Sequence, residues 1–135
     1  MAKSLKLDVV TPDRTLLSTE IASLIVPAVE GYLGVLPNHA PMILGLLPGA
    51  VKYRSDGKLN FLSISGGFME IGPDRVTLLA DCAEKANEID RERAQAAKGR
   101  AAQRLKERPS GLDVQRAELA LKRALARLQV TDYSK

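Results

Sequence analysis

Five arginines and an aspartate in the last third of this 135-residue chain have the spacing needed to hold an anion. Asp90 and Arg93 are three residues apart and Arg93 and Arg100 seven, so on a helix all three share one side. Arg116, Arg123 and Arg127 follow at steps of seven and four and share a side of a second helix. A guanidinium offers a planar fork of N–H donors that matches two phosphate oxygens at once, which a lysine ammonium does not. Two such stripes on neighbouring helices would converge on one polyanion. Asp90 could then accept from an adenine amino group or a ribose hydroxyl. Spacing alone has a commoner meaning: a solvated face whose Asp–Arg pairs contribute about 0.2–0.5 kcal/mol each.

The segment GYLGVLPNHAP, residues 31–41, is apolar yet carries two glycines and two prolines. Such a segment is either tucked under a core or used for docking. Its His39 is the only histidine, with a packed role the commoner reading and a pH-sensitive contact the alternative. In SISGGFMEI, residues 63–71, Gly66-Gly67 predicts a bend or bulge in a strand. A phosphate loop is disfavoured there, because no helix follows and no Gly-x-x-x-x-Gly-Lys pattern exists. Asp81 and Glu84 flank Cys82 without pairing a nucleophile to a base, so no catalytic residues are assigned. One cysteine and one histidine exclude an internal disulfide and argue against a clustered metal site.

The elements that must position these residues fall into two parts. Up to Glu84, short alternating runs such as SLKLDVV are separated by turn signals, among them Thr11-Pro12-Asp13, Pro48-Gly49, Asp56-Gly57 and Gly72-Pro73-Asp74. EIASLIVPA, AVKYR, LNFLSISGG, FMEIG and RVTLLAD are further runs. Their spacing predicts an all-β sandwich or flattened barrel. Beyond it, Ala, Leu, Arg, Lys, Glu and Gln dominate, all strong helix formers, with a break at Pro109-Ser110-Gly111. Two helices are expected, about Ile89–Glu107 and about Asp113–Val130, as an antiparallel hairpin. The expected class is α+β, with residues 1–84 a β-sandwich domain and residues 85–135 a helical-hairpin domain.

The hairpin seam should be thin. Ala94, Ala97, Ala101 and Leu105 face Val114, Ala117, Leu121, Ala124 and Leu128, and each alanine methyl buries little area. Gly99 inside the first helix costs about another 1 kcal/mol relative to alanine. Such a pair could open without disturbing the sandwich. Charge divides in the same place. Residues 1–84 carry 7 Lys and Arg against 9 Asp and Glu, a net −2, and residues 85–135 carry 13 against 7, a net +6, so the basic character of the chain belongs to the hairpin. That favours an acidic or phosphorylated partner. No apolar stretch follows Lys3 and Lys6, so no signal peptide is expected, and no run is long enough to span a membrane. Nucleic acid is disfavoured, because the basic part has only Tyr133 as an aromatic to stack on a base.

In order along the chain, LDVVTPDRTLLS, GYLGVLPNHAPMI, SGGFMEIGPDRVTLLAD and the pair IDRERAQAAK and RAELALKRALARL resemble the epsilon-subunit family of bacterial F-type ATP synthases, called delta in mitochondria. The resemblance covers nearly the whole chain. It implies a sandwich often counted as ten strands and a non-catalytic subunit of the rotor stalk. The implied partners are the gamma subunit, the ring of c subunits and, with the helices extended, the catalytic alpha/beta head. The implied location is peripheral, on the cytoplasmic face of the cell membrane. In the family the hairpin restrains ATP hydrolysis when extended, and in some members it binds ATP as a regulatory ligand when folded, no other cofactor being required. IDRERA is similar to that ATP motif, placing it on Ile89, Asp90, Arg93 and Ala94, with support from Glu84, Arg100, Arg123 and Arg127. Docking to the ring and to gamma is implied for Tyr32, Leu33, Leu36 and His39. Some relatives have a carboxylate near the place of Tyr32, which leaves His39 as the polar candidate there. The rival expectation is a stand-alone nucleotide-sensing module, which would not co-purify with gamma.

Overall fold

The computed structural model describes residues 4–133; the outer ends of the two expected domains, with Lys3 among them, lie outside the described residues. Among the described residues the chain forms eight strands, a short 3-10 turn and two helices. β1 (Leu5–Val10) buries Leu5, Leu7 and Val9, as its alternation dictates. β2 (Thr15–Ile21) returns antiparallel to it. The run expected as one strand from Glu20 is two. β2 stops at Ile21, the Ala22 N–H bonds to the Arg54 carbonyl at 2.8 Å, and β3 (Ser23–Ala28) starts beyond it on the other side of the sandwich. β4 (Gly31–Val35) is an edge strand on β3.

Two strands of 14 residues, β5 (Met42–Ser55) and β6 (Lys58–Ile71), form the frame. The turn joining them places Asp56 and Gly57 at φ +53° and +75°, the doubly left-handed turn that matches strand twist. β7 (Arg75–Ala80) and β8 (Ala83–Lys85) both pair with β6, on successive halves of it, and the strand order is β2-β1-β7-β6-β5-β3-β4. Runs expected as separate strands, LNFLSISGG and FMEIG, are thus one strand bent in the middle. The bend lies at Gly66 and Gly67, at φ +111° and +141°, where the ladder to β5 passes from Leu46–Gly67 to Pro48–Ser65. With β5 likewise unbroken through Pro48-Gly49, the described residues hold eight strands rather than the implied ten. The core comprises the inward residues of both layers, among them Leu7, Val26, Leu62, Ile64, Met69 and Leu78.

The division expected after Glu84 lies within β8. A 3-10 turn, Ala86–Glu88, leads to α1 (Arg91–Glu107) and α2 (Val114–Tyr133). The first helix starts two residues later than expected, because Asp90 is its N-cap and accepts the Arg93 N–H at 3.1 Å. Asp113 likewise accepts the Arg116 N–H at 3.1 Å, ahead of α2. The helix is left at Arg108, in the left-handed conformation at φ +47°.

The seam is the expected thin one: Ala94 and Ala101 of α1 and Ala117 and Ala124 of α2 are buried. A second buried face was not foreseen. Ala126 and Val130 lie on the side of α2 shared with Tyr133, whose ring sits 5.1 Å from that of Phe61 on β6 and beneath the Lys52 ammonium at 4.4 Å. This docking onto the sandwich explains why α2 runs three residues past the expected Val130. Arg91, opening α1, ties the same end down through Thr131 at 2.6 Å and Asp132 at 2.7 Å.

Candidate functional site

Folding the hairpin onto the sandwich closes a cleft of about 350 Å³ lined by Glu84, Glu88, Asp90, Arg93, Ala94, Ala97, Arg100 and Arg127. Three elements supply it. β8 contributes Glu84, the entry to α1 contributes Glu88 to Arg100, and the middle of α2 contributes Arg127. The Arg127 Nε donates to a Glu84 oxygen at 2.5 Å, with both side chains about one-third exposed, so this pair bridges helix and sandwich. Arg93 and Arg100 are exposed, and among the described residues their side chains make no ion pair or hydrogen bond. They are donors without an acceptor. One Asp90 oxygen is engaged in capping α1.

Six of the eight residues expected for an ATP site therefore meet here: Glu84, Asp90, Arg93, Ala94, Arg100 and Arg127. Two do not line the cleft. Ile89 ends the 3-10 turn, its N–H bonding to the Ala86 carbonyl at 3.3 Å, and Arg123 lies one turn before Arg127 on α2, beside Ser63, Ser65 and Cys82. Glu88 was missed. It accepts the Lys85 N–H at 2.9 Å and pairs with Arg14 at 2.8 Å. These contacts, the backbone one first, hold its carboxyl below the usual range. Only its place three residues after Lys85 hinted at such a role.

The residues expected for docking lie on β4 and just after it, and none of them lines the cleft. The expected loop is in part the edge strand β4, followed by a turn in which Asn38 adopts φ +68°. Tyr32 and Leu36 are 59% and 62% exposed, but Leu33 is half-buried and packs on the core, so it presents little surface. His39 is half-buried with its Nδ1 2.8 Å from the Ala40 carbonyl. Tyr32 joins Val29 and Met42 around a shallow apolar hollow. A further surface escaped the sequence reading: Phe68 pairs directly across from Leu79, and Gly45, two residues from Ile43, sits opposite Phe68. All three apolar side chains are about half exposed or more, which makes an apolar stripe on the outer face of the sheet. No helix among the described residues is long and apolar enough to cross a membrane.

Comparison with known proteins gives a consistent picture. Residues 4–86 match the beta-sandwich domain of the ATP synthase delta/epsilon chain, and residues 87–132 match its long alpha-helix domain. The ATP synthase epsilon chain of Moorella thermoacetica is 54% identical over 127 residues, covering 93% of this chain and 95% of its own length. The fold is similar to a chain in the Euglena gracilis mitochondrial ATP synthase, at a TM-score of 0.80 and 23% identity over 97% of this chain and 81% of that one. It is also similar to a chain in the central stalk and c-ring structure of the Tetrahymena thermophila mitochondrial enzyme, at a TM-score of 0.57 and 14% identity over 99% and 98%.

Proposed function

The chain belongs to the delta/epsilon chain family of ATP synthase, and from that premise we propose that it is a regulatory rotor subunit whose hairpin is held folded by ATP. As an epsilon subunit it is a non-catalytic part of the complex. The observation that carries the regulatory reading is the cleft itself. Its donors come from α1 and α2 and its Glu84 from the sandwich, so the constellation exists only while the hairpin is folded. Arg93 and Arg100 supply unpartnered guanidiniums for a triphosphate, and Asp90 keeps one oxygen for the nucleoside.

A ligand that binds only the folded form stabilises it by RT ln(1 + [L]/Kd), about 2.7 kcal/mol at a hundredfold excess over Kd. Against an alanine seam that is enough to move the balance. High ATP then keeps the helices folded and hydrolysis free, and low ATP lets them extend toward the alpha/beta head and inhibit. Calorimetric titration of the purified chain with ATP, with and without magnesium, is expected to give one site per chain. Absence of saturable binding at millimolar ATP would refute the reading.

For docking, we assign the Tyr32–Leu36 end to the c ring and the Ile43–Phe68–Leu79 stripe to gamma. The subunit then sits peripherally on the cytoplasmic face of the membrane, coupling ion flow to ATP synthesis. Because Leu36 is largely exposed, Leu36→Glu should leave folding unchanged within about 0.5 kcal/mol. In reconstituted vesicles it should sharply lower ion-driven ATP synthesis. Full coupling in a complex that retains the folded variant would limit this end to a structural role.

A further inference from the structure

The groove between the helices does not end at the nucleotide cleft. One turn further along, a second hollow of about 620 Å³ opens toward the hairpin turn, and Arg104, Arg116 and Arg123 line it above a floor that includes Ala101, Ala117 and Ala120. Arg93, Arg100 and Arg104 lie on one face of α1, at steps of seven and four. Arg116, Arg123 and Arg127 lie on one face of α2, at the same steps. With the helices antiparallel, the two rows form a track eleven residues long on each side, about 16 Å at the α-helical rise.

The two hollows differ in charge. The cleft balances Arg93, Arg100 and Arg127 against Glu84, Glu88 and Asp90. The second hollow sets three arginines against Asp113 alone, and one oxygen of Asp113 is engaged by the Arg116 N–H. Three arginines outside the groove behave otherwise. Arg14, Arg75 and Arg91 each pair with a carboxylate, whereas the side chains of Arg104, Arg116 and Arg123 have no hydrogen-bond or ion-pair partner among the described residues. Three like charges held together without a counter-charge oppose the folded hairpin, and an anion that spans them removes that opposition. The start of α2 adds the positive end of a helix to the same place.

We propose that this hollow is a second anion subsite, separate from the nucleotide cleft, that takes a chain of phosphates. Its arginine spacing suits several phosphate groups in a row, and its small alanine floor offers a nucleoside base no aromatic or deep apolar wall. Occupancy draws α1 and α2 together at the turn end, as the cleft does at the other.

The test uses the full chain and inorganic tripolyphosphate, titrated at constant ionic strength with sulfate as the control anion. Tripolyphosphate should bind the wild type both without ATP and at saturating ATP. Arg104→Ala and Arg116→Ala should each weaken it about tenfold, the loss of one charge-assisted contact. Lys98→Ala, which removes an exposed cation of α1 that lines neither hollow, should change it less than about twofold. A phosphate chain that belongs to a nucleotide would instead appear as a second ATP site, retained in Arg93→Ala and lost in Arg116→Ala; that outcome also supports the subsite. Tripolyphosphate binding no tighter than sulfate, or indifferent to Arg104 and Arg116, overturns it. Loss of the ATP reading alone, with the tripolyphosphate response intact, leaves this one standing. These side chains are exposed, so an unchanged thermal melt confirms that each variant is folded.

Discussion

Gly67→Ala should leave the sandwich unfolded or nearly so. Gly67 stands at φ +141°, where an L side chain is strained, and a Cβ placed on it would come within 2.1 Å of the Leu79 carbonyl oxygen and 2.9 Å of the Ala80 Cα. Both are backbone atoms of β7, the strand paired with Gly67 through Ala80, so no rotamer change relieves the clash. Either β7 leaves the sheet at this level or the bend in β6 moves. The expected loss exceeds about 4 kcal/mol, much of the total stability of a domain this size. Gly34→Ala on edge strand β4 is the control, since a Cβ there meets nothing within 4 Å. Urea unfolding of the purified chains checks both. A midpoint for Gly67→Ala close to that of the wild type would mean the bend is soft.

Arg127→Ala should act twice on the hairpin, in the same direction. Its guanidinium lines the cleft and is also the ion-pair partner of Glu84. Removing it deletes a phosphate donor, for an expected affinity loss of about ten- to a hundredfold. It also leaves the partly buried Glu84 carboxylate without its cation and frees α2 from β8. Without any ATP, amide exchange along α2 should therefore be faster than in the wild type. Arg93→Ala should lose ATP comparably but leave that exchange unchanged, because Arg93 has no ion pair to break. In the reconstituted enzyme both variants should be more inhibited at a given ATP level. Retention of wild-type affinity in both would make the arginine stripe a solvated face.

The pairing of Arg127 shows what helical spacing leaves out. From spacing alone, Arg93, Arg100, Arg123 and Arg127 are four cations on facing helices. Glu84 neutralises Arg127, and such a neutralisation depends on a strand-to-helix contact that helical spacing alone does not reveal. The alternation of β1, the Asp56-Gly57 turn and the alanine seam were all legible, because each is a local pattern with one physical outcome. The merging of strands was not. Pro48-Gly49 reads as a turn, but it lies within β5 opposite Ser65 and Ile64, so it falls level with the Gly66-Gly67 bend of β6 and both strands kink together. Only the register reveals that two breaks face each other. The exposed Phe68 and Leu79 escaped for a related reason. In FMEI the alternation puts Met69 inside, and nothing local says that the apolar residue pointing outward has company on the next strand. Ala126 and Val130 were not legible because α2 buries two faces, and its three-and-four steps of apolar residues mark only one of them.

The parallel pairing of β1 with β7 bears on the order in which the molecule assembles. Lys6 lies beside Arg75, so the first strand finds its second neighbour only after nearly all the sandwich has been made. Closing so large a loop is slow, and domains built on such distant pairings fold orders of magnitude more slowly than helical hairpins, whose contacts are local. The two domains should thus form on separate clocks, with α1 and α2 fast and the sandwich slow. Glu84 and Phe61, the anchors for Arg127 and Tyr133, exist in place only once the slow domain is complete. Until then the helices have nothing to fold against, so a newly made subunit passes through the undocked form before it can reach the docked one.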